Sequence, residues 1–158
     1  MTESVARPEH ETSVAALLLP LDRLNLVVPQ AAVGEVISRP DIESVPDAPD
    51  WVTGMFHWRA EQLPLVSLER LMGRARSEPG PGTRVVVFYG LGELAGVDYY
   101  GVEVRGIPHP VLLRREMVDD VRDGVTPVGH AVVVGGQPGI VPDLLGLERR
   151  LSEWLVRA

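Results

Sequence analysis

Trp51-Val-Thr-Gly54-Met-Phe-His57-Trp58-Arg59-Ala-Glu61-Gln62-Leu63-Pro64-Leu-Val66-Ser67-Leu68 is the stretch on which the fold turns. It is the most aromatic part of the chain. It begins as a turn of helix and runs into a strand that ends near Arg59. Glu61-Gln62 reads as the turn, and Leu63–Val66 as a short second strand. Pro64 cannot donate to a ladder, which places that strand at an edge or at a strand start. Ser67 can accept a backbone N–H as the N-cap of a short helix, and Gly73 can take the left-handed position that ends it.

Outward from this unit the chain stays β-like. Val14–Leu19 and Leu24–Val28 are apolar runs joined by a hairpin connection at Leu21-Asp22-Arg23. Pro29 and the three residues after it suit one turn of helix, since proline is tolerated at a first helical position. Val33–Ile37 follows as a strand. Residues 38–50 hold three prolines and four acids and read as an exposed loop with a short strand around Ile42–Val45. Residues 1–13 are polar and aperiodic, as expected of a flexible tail.

Residues 73–83 are rich in Gly and Pro and form a linker near the middle of the chain. Beyond it Arg84–Tyr89 and Gly96–Val104 are strands. Residues 105–124 read as turns around a charged patch, with His109 in a rigid turn between Pro108 and Pro110. Ala131–Val134 is a strand, Gly135–Gly139 a tight connection and Ile140-Val141 a resumed strand. Asp143 caps a helix over 143–157, with Leu144, Leu147, Leu151, Trp154 and Leu155 on one face. Glu148, Arg149, Arg150, Glu153 and Arg157 fill the others.

Many short strands, Gly/Pro turns and one terminal helix imply an all-β-dominated fold of small barrels. The linker suggests two, the first mainly 14–73 and the second mainly 84–141.

Composition removes many functions. The 158 residues contain neither cysteine nor lysine. Thiolate chemistry, Cys-ligated zinc, Schiff bases and P-loop lysines are therefore absent. With 22 acids against 15 arginines, the net charge of −7 opposes nucleic-acid binding and attraction to an anionic membrane. The apolar run Val14–Leu21 is too short to span a bilayer, and no positive segment precedes it, so a cytoplasmic protein without membrane insertion is expected.

Gly90-Leu-Gly92-Glu-Leu-Ala-Gly96 imitates a dinucleotide loop. A strand rather than a helix follows it, so the glycines belong to a turn and no cofactor is expected. His10, His57, His109 and His130 lack ligand spacing, so no metal is expected. No serine elbow is present, and Asp119-Asp120 point to opposite sides of a strand. A small enzyme built on His57 is the weakest reading. Glu35 and Arg59 each interrupt an apolar strand. They form a charge-assisted pair or face outward independently; local sequence supports both.

Val33-x-Glu35-Val36, the loop ending in Pro46 and Pro49, and Trp51-Val-x-Gly54 through Arg59 to Pro64-Leu-Val-x-Leu68 together resemble the CheW-like domain of bacterial chemotaxis. The match is good over 14–73 and holds in outline over 84–157, making 14–157 one such domain. The resemblance implies two five-stranded SH3-like barrels with a C-terminal helix. It also implies a non-enzymatic adaptor between a methyl-accepting chemoreceptor tip and the regulatory domain of a CheA-type histidine kinase, in receptor arrays at the inner membrane. By matching position, Val33, Glu35, Val36, Gly54 and Arg59 would line or support a receptor groove between the barrels, with Glu35 and Arg59 paired. The family's N-L-R-G turn is His57-Trp58-Arg59-Ala60 here, and the Asp of P-V-x-D-L is Ser67. The bulkier turn suggests a divergent partner in a pilus or other chemosensory system, or an adaptor that keeps one of the two contacts.

Overall fold

The computed structural model describes residues 13–75 and 78–157. The first half of the chain forms β1 (Val14–Pro20), β2 (Asn25–Pro29), β3 (Val33–Ser38), β4 (Val52–Trp58), β5 (Glu61–Val66) and the helix α1 (Leu68–Leu71). The second half forms β6 (Arg84–Tyr89), β7 (Tyr99–Val104), β8 (His109–Leu113), β9 (Val118–Val125), β10 (Gly129–Val134), β11 (Gln137–Pro142) and α2 (Leu144–Arg157). Single 3-10 turns, Gln30–Ala32 and Arg115–Met117, lead into β3 and β9. The caps sit where the side chains dictate. Ser67 Oγ accepts from the Arg70 amide at 3.3 Å, and Asp143 Oδ1 accepts from the Gly146 amide at 3.0 Å.

Two sheets result, ordered β8-β1-β2-β11-β10-β9 and β3-β6-β7-β5-β4. The first has six strands rather than the expected five. β9 is the addition, paired to β10 through a bulge. The sheets do not follow the halves of the chain. The β1–β2 hairpin joins the second half's β8 and β11, and the β6–β7 hairpin joins the first half's β3 and β5. The linker separates halves of sequence, and each half lends a hairpin to the sheet built mainly from the other. Along β8-β1-β2-β11-β10 and along β3-β6-β7-β5-β4 the pairings run antiparallel, antiparallel, parallel, antiparallel. The two barrels repeat one plan.

Strand alternation builds three cores. Val86, Phe88, Val102 and Val104 point between the sheets, where Leu19, Leu26, Ile140, Leu147 and Leu151 meet them. The opposite faces of β4, β5 and β6 supply Phe56, Trp58, Leu63, Leu65, Val85 and Val87 to the interior of the second sheet. Val27, Val132 and Val134 fill the first. Gly101 belongs to this packing, because a Cβ there would lie 2.6 Å from the Phe56 ring.

Several expectations shift. The β4–β5 turn is Arg59-Ala60, two residues earlier than Glu61-Gln62, which already belong to β5. Ile42–Val45 makes only a single bridge, Glu43 to Met55. Gly96-Val-Asp precede β7 instead of opening it. Residues 105–124 are not merely turns, since β8 and most of β9 lie there and His109 begins β8. Both are end strands of the sheet, where proline and charge are tolerated, so their sequences lack clean alternation. The tail over 1–12 and linker residues 76 and 77 lie outside the described residues.

Candidate functional site

β3 and β4 are the two ends of the five-stranded sheet, and no backbone ladder joins them among the described residues. Side chains bridge the gap. Trp58 Nε1–H donates to Glu35 Oε1 at 2.9 Å, and Arg59 Nη2 reaches the same oxygen at 3.3 Å. The Arg59 guanidinium carbon lies 4.6 Å from the Trp58 ring centroid. Ile37 of β3 packs with Phe56 and Trp58 beneath. Glu35 thus holds the barrel ends together on one side and presents an ion pair on the other, the side chains of Arg59 and Glu35 being 69% and 40% exposed. The pairing favoured by the resemblance is the arrangement found.

The other matched residues play different parts. Val36 stands outward on β3, and Val33 is half-buried against the central core. Gly54 is buried in β4 and lines no open surface. Its φ is +155°, and a Cβ there would fall 2.3 Å from the Glu43 carbonyl oxygen. It lets the acidic loop lie against β4, where the Glu43 and Met55 amides and carbonyls exchange bonds of 2.8 and 2.9 Å. Gly54 supports the face without forming it.

The β4–β5 turn holds Arg59 at φ 48° and Ala60 at φ 64°. Two positive angles in a two-residue hairpin are the geometry that asparagine and glycine favour. Ala60→Gly is expected to stabilise the fold by about 1 kcal/mol, because a left-handed angle costs roughly that much for a residue with a Cβ. The thermal unfolding midpoint measures this; an unchanged or lower midpoint would show the turn to be unstrained.

An apolar cleft of about 240 Å³ opens elsewhere, between α1 and the start of α2. Leu68, Leu71, Pro127, Val128, Leu147 and Arg150 are among its walls, and none of Val33, Glu35, Val36, Gly54 or Arg59 is. Gly146 also lines it. A Cβ there would press within 2.5 Å of the Asp143 cap, which accounts for a glycine inside this helix.

His57 points outward from β4, its side chain 72% exposed and 3.6 Å from Glu43, itself held by Gln62 at 3.0 Å. It lines neither this cleft nor the polar one beside Arg23, Asn25 and Gln137. Among the described residues no set of three or more His, Asp or Glu side chains is placed to hold a metal, and no helix is long and apolar enough to cross a membrane.

Three buried acids carried no signal in the sequence. Glu148, assigned to the polar face of α2, is fully buried. Both its oxygens accept from the Leu91 amide at 2.8 Å, and Oε1 accepts from the Glu93 amide at 3.3 Å. The Gly90–Gly96 motif therefore does present amides to an anion, and the anion is the chain's own carboxylate. Burial first, then the charge of Glu148, pushes the Tyr100 hydroxyl above its ordinary range, so it stays a neutral phenol. Glu69 and Glu103, each 2% exposed, flank Arg105, whose Nη2 lies 2.7 Å from Glu69 and 3.7 Å from Glu103. Burial alone would disfavour the Arg105 charge. The hydrogen bond from Arg105 to Glu69, with the charges of Glu69, Glu103 and Asp22, outweighs it and raises the pKa, so the guanidinium stays charged.

A family model described as CheW-like domain matches residues 15–147. Among solved structures, the scaffolding protein CheW of Thermoanaerobacter tengcongensis superimposes with a TM-score of 0.67 at 15% identity, over 83% of this chain and 89% of that one. At that identity the likeness establishes the fold alone. A comparison with curated proteins finds no match.

Proposed function

The chain belongs to the CheW-like domain family, a family of non-enzymatic scaffolds, and from that premise we propose that it couples the cytoplasmic tip of a chemoreceptor to the regulatory domain of a CheA-type histidine kinase. The observation that carries this reading is the Glu35–Arg59 pair. It stands exposed at the position where the family motif has its acid and arginine, on a rigid barrel edge braced by Trp58. Val36 beside it adds apolar surface. The proposed place of action is the cytoplasm, at the receptor array.

Arginine on an aromatic platform is a frequent anchor in interfaces, worth more than its exposed ion pair contributes to folding. Arg59→Ala is therefore expected to weaken receptor-tip binding about tenfold or more, equivalent to about 1.4 kcal/mol. Its effect on unfolding should stay within about 1 kcal/mol. Glu35→Gln is a cleaner partner variant than Glu35→Ala, because it keeps an acceptor for the Trp58 indole. Titration of each variant with the receptor tip and, separately, with the kinase regulatory domain provides the test. Unchanged affinity for both partners in both variants would remove this face from the function. Loss for one partner only would assign the face to that contact.

A further inference from the structure

We propose that the cleft between the β1–β2 turn and the start of β11 binds a small organic carboxylate, with Arg23 as the cation that holds it. The inference does not depend on the coupling role.

The cleft has a volume of about 350 Å³, at the small end of the range for ligand pockets. Its walls are Leu21, Arg23, Leu24, Asn25, Gln137 and Pro138. Three of them offer polar side chains and none is a carboxylate, although the chain has 22 acids against 15 arginines. The donors are unspent. Among the described residues, the side chains of Arg23, Asn25 and Gln137 make no hydrogen bond, and no acid pairs with the Arg23 guanidinium. Asp22, its neighbour in sequence, does not neutralise it. The charge of Asp22 acts on Arg105, and Asp22 is not part of the cleft wall. The Arg74 guanidinium donates to the Asp22 carbonyl at 3.0 Å and pairs with no described acid, so it adds positive charge nearby.

The backbone supplies a second, independent observation. Arg23 sits at φ 69°, in a turn where the Leu21 amide donates to the Leu24 carbonyl at 2.8 Å. Glycine or asparagine suits that angle, and arginine does not. The turn by itself gives no reason for an arginine here, whereas an unpaired guanidinium facing a cleft does. The chemistry then selects the ligand. A guanidinium fork with two planar amides matches the two oxygens of a carboxylate, and a bidentate pair of that kind is among the stronger hydrogen-bonded contacts. Leu21, Leu24 and Pro138 give an apolar body a surface to lie against. A bare inorganic anion uses the charge and leaves that surface empty.

The test titrates the full-length chain with sodium benzoate and follows the side-chain amide resonances of Asn25 and Gln137 by NMR. Acetate and inorganic phosphate, at matched ionic strength, are the comparison probes. Expected are saturable shifts that are half complete at about 10 mM benzoate or below. Acetate should bind more weakly, and phosphate should not saturate. Arg23→Gly should abolish the benzoate shifts while leaving the thermal unfolding midpoint at or above its original value, because glycine suits φ 69°. Arg23→Lys keeps the charge without the planar fork and should weaken benzoate several-fold. Absence of saturable shifts at several times the expected half-saturation overturns the proposal. So does benzoate binding that survives Arg23→Gly. Phosphate saturating as readily as benzoate also overturns it, because the cleft would then select charge alone.

Discussion

Gly54→Ala is expected to destabilise the fold by about 3 kcal/mol or more. Two effects add. The Cβ would meet the Glu43 carbonyl oxygen at 2.3 Å and the Ile42 side chain at 2.7 Å, and φ at +155° is an angle that residues with a Cβ rarely adopt. The obstacle at Glu43 is backbone, so no side-chain rotation relieves it. Relief requires moving the acidic loop off β4, which breaks the Glu43–Met55 bridge. Gly73→Ala is the control. Gly73 also has positive φ, at +79°, but nothing lies within 4 Å of a Cβ there, so about 1 kcal/mol should be lost. Chemical denaturation compares the two. Equal losses would mean that the close approach at Gly54 contributes nothing.

Arg105→Met is the second large effect. Arg105 Nη2 lies 2.7 Å from Glu69 Oε1, and the Asp22 amide donates to Glu69 Oε2 at 2.8 Å. Arg39 Nε reaches Glu103 at 2.6 Å from the other side. The cluster ties α1 to β7 and to the β1–β2 turn, across the two halves. Removing the guanidinium leaves the buried Glu69 carboxylate without its cation, at a cost of about 3–5 kcal/mol. Methionine keeps much of the volume, so the loss reports charge more than packing. The double variant Arg105→Met with Glu69→Met removes the stranded charge and should recover a large part of the loss. Additive losses in the cycle would contradict the ion-pair account.

The strands near the cores were legible because one face of each is apolar. Val86 and Phe88 alternate with Val85 and Val87 between two cores, and a short run so rich in β-branched residues favours a strand. The helix over 144–157 announced itself through its leucine spacing and the Asp143 cap. Glu35 and Arg59 stood out as charges inside apolar strands, and the family pattern paired them. The exchange of hairpins was not legible, because Leu19 or Phe88 packs equally well on either sheet as far as its neighbours in sequence reveal. β8 and β9 were hidden by prolines and charges that an end strand tolerates. The buried acids resemble surface residues. Glu69 precedes Arg70 and Glu148 precedes Arg149, and only tertiary contact shows that the acid of each pair is buried while its neighbour is not.

The most direct measurement of the coupling role is a three-component titration. The chain is mixed with a soluble chemoreceptor tip and with the regulatory domain of a CheA-type kinase, and complexes are read by sedimentation. Binding to each partner alone, a ternary complex containing all three, and loss of the receptor from that complex with Arg59→Ala are expected. Absence of binding to both partners at high concentration, with the chain shown folded, would contradict the coupling role.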